Sequence, residues 1–143
     1  MTVRIIGAGL AGCEAAWQLL RVGISVDLFE MRPDQMTPAH KTGSFAELVC
    51  SNSLGSADLA NATGLLKAEL KSLNSLVIAA AEHASLPAGG ALAVDHSHFS
   101  GFIEEQLRAY STLRVIRQEI KAIPEVSPHH PLLIASGPLT SEA

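Results

Sequence analysis

Val3, Ile5 and Ile6 make a short apolar run at the head of the chain, and Ala15, Ala16, Leu19 and Leu20 then recur at helical spacing. A glycine-rich turn separates the two patterns, and Gly23 closes the second as a helix C-cap. Another apolar run, "ISVDLFE" (24–30), follows. Strand, turn, helix and strand form a βαβ unit, which builds a parallel sheet with a right-handed crossover. Periodicity then disappears. The stretch of about 31–61 is rich in Pro, Ser, Thr, Asn and Gly. A strand-to-helix connection ordinarily takes about 2–6 residues, so an insertion this long is either disordered or functional. A long helix is expected over about 62–84, with Leu66, Leu70, Leu73, Val77 and Ala80 on one stripe and Lys67, Glu69 and Lys71 off it. "PAGG" (87–90) stops the chain and "ALAVD" (91–95) reads as a strand. "SHFSGFIEEQLRAY" is a further amphipathic helix capped by Asp95 or Ser97. "LRVI" (113–116) and "EIKAIP" (119–124) read as short strands, and "LLIAS" as a final buried strand that runs into Gly137. The expected fold class is α/β: one Rossmann-like domain over 1–143, with a parallel sheet and a long functional insertion after its second strand.

Composition narrows the possible functions. Hydrophobic residues at 48% and charged residues at 17% suit a globular core and exclude disorder. No apolar run reaches the roughly 18–20 residues of a membrane helix, and the N-terminus reads as a structured start without a cleavage pattern. Two distant cysteines suggest no disulfide framework; a reducing, cytoplasmic setting is the simplest expectation. The net charge is −4, whereas isolated nucleic-acid-binding domains are basic. Any RNA contact therefore needs cationic surface from elsewhere, apart from a local patch at Arg32, His40 and Lys41.

The glycine turn carries the chemistry. Gly7, Ala8, Gly9, Leu10, Ala11 and Gly12 spell G-x-G-x-x-G between a strand and a helix, the context in which this motif binds dinucleotides. The first glycine makes the turn, the second lets backbone approach a pyrophosphate, and the third packs helix on strand. The helix N-terminus offers unpaired N–H groups to the phosphates. Glu30 ends the second strand 18 residues after Gly12, about where a carboxylate binds the ribose 2′-OH and repels a 2′-phosphate. The site should take the adenosine diphosphate moiety of NAD or FAD; the glycines do not choose between them. "LLIASGP" resembles the A-T-G turn by which two-dinucleotide-domain flavoproteins return to FAD, with Ser136 for Thr and the turn at 135–138. His96 and His98 lack a third ligand at zinc-like spacing, so no metal site is expected. Cys50, in the polar stretch "ELVCSNSL", is either a reactive thiol or a packed loop residue.

"GAGLAGCEAAWQLL", "VDLFEMRP", "TPAHKTGSFAELVCSNSL", "LPAGGALAVD" and "ASGPLTSEA" together resemble the N-terminal part of the TrmFO (Gid) family, folate- and FAD-dependent tRNA (uracil-5-)-methyltransferases. The glycine motif with "AGCEAA" also resembles GidA-type tRNA-modifying flavoproteins. The resemblance implies FAD as cofactor, held by the glycine turn, Glu30, Arg32 of "EMRP" and Gly137. It implies methylenetetrahydrofolate and NAD(P)H as co-substrates, and transfer of a one-carbon unit to carbon 5 of a T-loop uracil in tRNA. Of the two family cysteines, one carries over to Cys50, as a proton-transfer or transient adduct group; the other would lie past residue 143. His40 and Lys41 are candidate activators of Cys50 by proximity in sequence. His96 and Gly55 stand where the family carries basic residues. The family continues past the flavin-return turn, so the chain is expected to be the incomplete N-terminal part of such an enzyme. An NAD-linked dehydrogenase domain and a non-catalytic nucleotide-binding remnant are the competing expectations.

Overall fold

A computed structural model describes residues 1–142. The elements in chain order are β1 (Thr2–Ile6), α1 (Leu10–Arg21), β2 (Ser25–Glu30), β3 (Ser53–Ser56), α2 (Ala62–Ser72), α3 (Leu76–His83), β4 (Ser85–Leu86), β5 (Ala91–Val94), α4 (His96–Arg108), β6 (Leu113–Arg117) and β7 (Leu132–Ile134). A four-stranded sheet runs β6-β2-β1-β7, every neighbouring pair parallel. Three smaller strands form an antiparallel sheet in the order β3-β5-β4. The main sheet is Rossmann-like. It grows outward from β1 through β2 to β6, then returns to the other side of β1 for β7. That reversal leaves a crevice beyond the C-terminal ends of β1 and β7, the place where open α/β sheets hold ligands.

Alternation along the strands selects the covered face. Val3 and Ile5 of β1 and Val26 and Leu28 of β2 are buried against α1, which contributes Cys13, Ala16 and Leu20. Helix α4 adds Phe99, Ile103 and Leu107, and α3 adds Leu76, Ala80 and Ala81. Each large side chain so buried contributes about 1.5–3 kcal/mol. The opposite face carries Arg4 and the cross-strand pair Asp27–Arg114, joined by two hydrogen bonds of 2.8 and 2.6 Å.

The insertion after β2 is ordered. Phe45 is fully buried, and the Ala46 N–H donates to the Ala8 carbonyl at 2.8 Å. The Arg117 guanidinium lies 4.9 Å from the centre of the Phe45 ring, close enough for a cation–π attraction. This loop is therefore fastened directly to the glycine turn.

Three expectations need correction. The helix expected over 62–84 is two helices, broken at Leu73–Ser75. Asn74 adopts a left-handed φ of 57°, which Asn tolerates better than most residues. Ser75 then caps α3 by accepting from the Ile78 N–H at 3.2 Å. Glu14 on α1 reinforces that cap by accepting from Ser75 Oγ and the Val77 N–H. The apolar stripe does not survive the break, for Leu66 is 53% and Leu73 64% exposed. "EIKAIP" is not a strand; the chain leaves the sheet at Arg117 and runs along its C-terminal edge. The strand expected at "ALAVD" is present as β5, in the small antiparallel sheet. Finally, β7 is an edge strand with Leu133 and Ile134 exposed. Among the described residues no helix is long and apolar enough to cross a membrane.

Candidate functional site

A cavity of about 300 Å³ occupies the crevice, lined by Gly7, Gly9, Glu30, Arg32, Ala135 and Ser136 among others. The three motif glycines are required for different reasons. Gly7 has φ +101°, and a Cβ there would stand 2.6 Å from the Ala135 carbonyl oxygen. A Cβ on Gly12 would run into the Gly7 carbonyl oxygen. Both are demanded by packing of the turn against β7 and α1. Gly9 differs: it lies on the cavity wall with extended backbone, and a Cβ there meets nothing within 4 Å. The protein itself does not need glycine at 9. A group approaching the backbone from the cavity would.

Gly9 is also the N-cap of α1. It offers no side-chain cap, and no acidic residue sits in the first turn. The first N–H groups of a helix have no partner within it, so this end is prepared for an anion. Leu10 and Ala11 contribute backbone there while their side chains are exposed. The cradle therefore fits the pyrophosphate of a dinucleotide.

Glu30 lies on the same wall at 5% exposure, at the end of β2. One carboxylate oxygen accepts the Ala8 N–H at 2.9 Å. The other accepts both the Arg32 N–H at 3.0 Å and Arg32 Nε at 2.9 Å. Burial alone would raise the Glu30 carboxyl, but the Arg32 and Ala8 hydrogen bonds outweigh it and hold the group below its ordinary range. So Glu30 both faces the cavity and braces the glycine turn. Arg32 is almost wholly buried, and its Nη1 reaches Glu47 Oε2 at 3.0 Å and the Thr42 carbonyl at 3.3 Å. Gly137 adopts φ +66° and shapes the return turn; Ala135 and Ser136, not Gly137, line the cavity.

Cys50 is exposed and lines a second cavity of about 190 Å³ with Lys41, Glu47, Ser51 and His96. Of the two activators expected from sequence, only Lys41 is there. His40 lines the larger cavity, where its Nδ1 lies 2.6 Å from Thr37 Oγ1. Burial and then the Arg32 charge lower the tendency of His40 to protonate. His96 was not among the expected neighbours of Cys50. It arrives through the pairing of β3 with β5, where the Val94 N–H donates to the Asn52 carbonyl at 2.9 Å. The signal available in the sequence was the short apolar strand ending just before His96. Cys13 is fully buried, donates to the Ala8 carbonyl at 3.3 Å, and has its thiol pKa pushed well up by burial. It is a packing residue.

The profile of the family described as "Glucose inhibited division protein A" matches residues 2–139. The chain is 61% identical over 143 residues to a protein of Heliobacterium modesticaldum named methylenetetrahydrofolate–tRNA-(uracil-5-)-methyltransferase TrmFO, covering all of this chain and 32% of that one. Proteins of the same name from Thermus thermophilus and Bacillus subtilis are 57% identical over 141 residues and 56% over 142, with 31% and 32% of each covered. The chain covers 99% of its own length in both matches. It thus spans about a third of the length of the curated relatives it matches. Among solved structures, the Diels-Alderase PyrE3 of pyrroindomycin biosynthesis aligns with a TM-score of 0.52 at 17% identity, over 87% of this chain and 27% of that one. At that identity the likeness shows the fold alone.

Proposed function

The chain belongs to the glucose inhibited division protein A family, and from that premise we propose that it is the FAD-binding portion of a folate-dependent tRNA (uracil-5-)-methyltransferase. The observation that carries the proposal is Gly9, with open space at its Cβ, at an uncapped helix end inside the switch-point cavity. The relatives' shared name supports the reaction class.

The Gly9 backbone and the first N–H groups of α1 hold the pyrophosphate. Glu30 meets the adenosine ribose. Ala135, Ser136 and the Gly137 turn border the cofactor's path. Bound flavin supplies the redox chemistry by which a one-carbon unit from methylenetetrahydrofolate reaches uracil carbon 5, with NAD(P)H as reductant. Cys50, as its thiolate, takes the proton from uracil carbon 5 and becomes the thiol. Lys41 and His96 line its cavity. The net charge of −4 leaves most of the tRNA-binding surface to the rest of the enzyme, which works in the cytoplasm.

The test is methylation of a tRNA transcript by the full-length enzyme with folate and reductant, beside its flavin absorbance. Yellow enzyme that labels uracil carbon 5 supports the proposal. Colourless protein that binds only NAD overturns it.

A further inference from the structure

Arg32 touches both cavities' walls. It lines the larger cavity with Glu30, while its other partner, Glu47, lines the smaller one with Cys50. The bonds on the two sides are equivalent in length: Nε to Glu30 Oε1 at 2.9 Å and Nη1 to Glu47 Oε2 at 3.0 Å. Each carboxylate then grips a different backbone segment. Glu30 holds the Ala8 N–H of the glycine turn. Glu47 accepts from the Lys41 N–H at 2.9 Å, the Thr42 N–H at 3.2 Å and Thr42 Oγ1 at 2.9 Å, closing the loop that leads to Cys50. A buried guanidinium with rigid, forked donors is thus shared between the nucleotide side and the thiol side.

Sharing has a consequence when a ribose arrives. A carboxylate offers about four lone-pair sites, and Ala8 and Arg32 already use three on Glu30. One site is left, on Oε2, so a ribose diol that brings two hydroxyls to Glu30 must compete with Arg32 at Oε1 for the second. Weakening the Arg32–Glu30 side leaves the buried cation leaning on Glu47. Resting on the nucleotide site proposed above, we propose that Arg32 is a positioning residue: it transmits occupancy of the adenosine site to the loop that places Cys50. Coupling of this kind is reciprocal, so the state of the thiol loop also sets nucleotide affinity.

The molecule carries its own reporter. Cys50 is exposed and Cys13 is buried, so of these two thiols a chromogenic aromatic disulfide titrates Cys50 alone in folded protein and both in unfolded protein. The modification rate of Cys50 in the full chain is measured with and without saturating ADP, which lacks the flavin half, so any effect is carried through the protein. The expected result is at least about a threefold change on ADP binding in the parent, within the range of coupled neighbours. In Arg32→Lys and in Glu47→Gln that ratio falls to near unity, while in Glu47→Gln calorimetry still detects ADP and Cys13 remains protected. Retention of the parent ratio in both variants overturns the proposal, as does a parent rate indifferent to bound ADP. If ADP does not bind the parent at all, the nucleotide site itself fails, and the link is judged without ligand. Glu30→Gln must then change the Cys50 rate by about threefold in the parent and not in Arg32→Lys; an equal or absent change in both sinks it.

Discussion

Replacing Gly9 separates ligand from fold more sharply than any other change in the glycine turn. In the ligand-free chain an added Cβ at Gly9 has open space, and the backbone there, φ −75° and ψ −171°, suits any L-residue. Gly9→Ala gains about 0.4–1 kcal/mol from a less flexible unfolded chain and gives back up to about 1 kcal/mol as a poorer N-cap. The two offset, so the melting temperature should stay within roughly 4 °C of the parent. Binding is different. The Cβ, and more so the branched side chain of Gly9→Val, occupies the space a pyrophosphate needs. Losing two charge-assisted N–H···O bonds at about 1.5 kcal/mol each weakens affinity by roughly 150-fold. Gly12→Ala is the control, because its Cβ collides with the Gly7 carbonyl. It should lower stability by about 1–3 kcal/mol or more. The assay is flavin fluorescence titration beside thermal melting, on the full-length enzyme. A Gly9→Val protein that melts like the parent and binds FAD within threefold of it would refute the reasoning.

Glu30→Ala removes more than ribose contacts. It strands the buried Arg32 with Glu47 as its one remaining carboxylate partner, and breaking a buried pair typically costs about 3–5 kcal/mol; a melting temperature unchanged in the ligand-free variant would contradict this. The folded Glu30 and Glu47 carboxyls lie below their ordinary value of 4.5 despite burial, because Arg32 and Ala8 donate to the first and Lys41 and Thr42 to the second. The stability they contribute is present above that value and is lost as pH falls through the depressed folded values. Acid unfolding followed by circular dichroism should therefore be shallower in Glu47→Gln, and an identical acid limb would count against the ion-pair account. Ser75→Ala removes the cap of α3 and its bond to Glu14; a loss of about 1–2 kcal/mol in urea unfolding is expected, and no loss would mean that Glu14 alone holds the helix end.

Local pattern made the first βαβ unit readable, since Val3 to Glu30 follow strand and helix periods with glycines at both turns. The place of Gly9 at the entry to α1 was readable for the same reason. What escaped was set by contacts distant in sequence. Leu66 and Leu73 continue a helical stripe on paper, yet Asn74 and Ser75 carry a stop and a cap that act together only when Glu14 arrives from α1. The company of Cys50 depended on β3 pairing with β5, which brings His96 in from a distant part of the chain. His40 and Lys41 are adjacent in sequence but line different cavities. Glu30 was legible as the carboxylate that ends β2; its bracing of Ala8 and Arg32 was not, because Arg32 is an ordinary surface type until Glu47 folds back onto it.

Single-turnover methylation of tRNA by the Cys50→Ala form of the full-length enzyme tests the central claim most directly. Cys50 is an exposed loop residue away from the pyrophosphate cradle. Its removal should leave flavin content and melting temperature at parent values while the rate falls by about 10²–10⁴-fold, the usual contribution of a positioned proton-transfer group. A variant that methylates at the parent rate, or that loses stability and flavin first and activity only in proportion, would contradict the account.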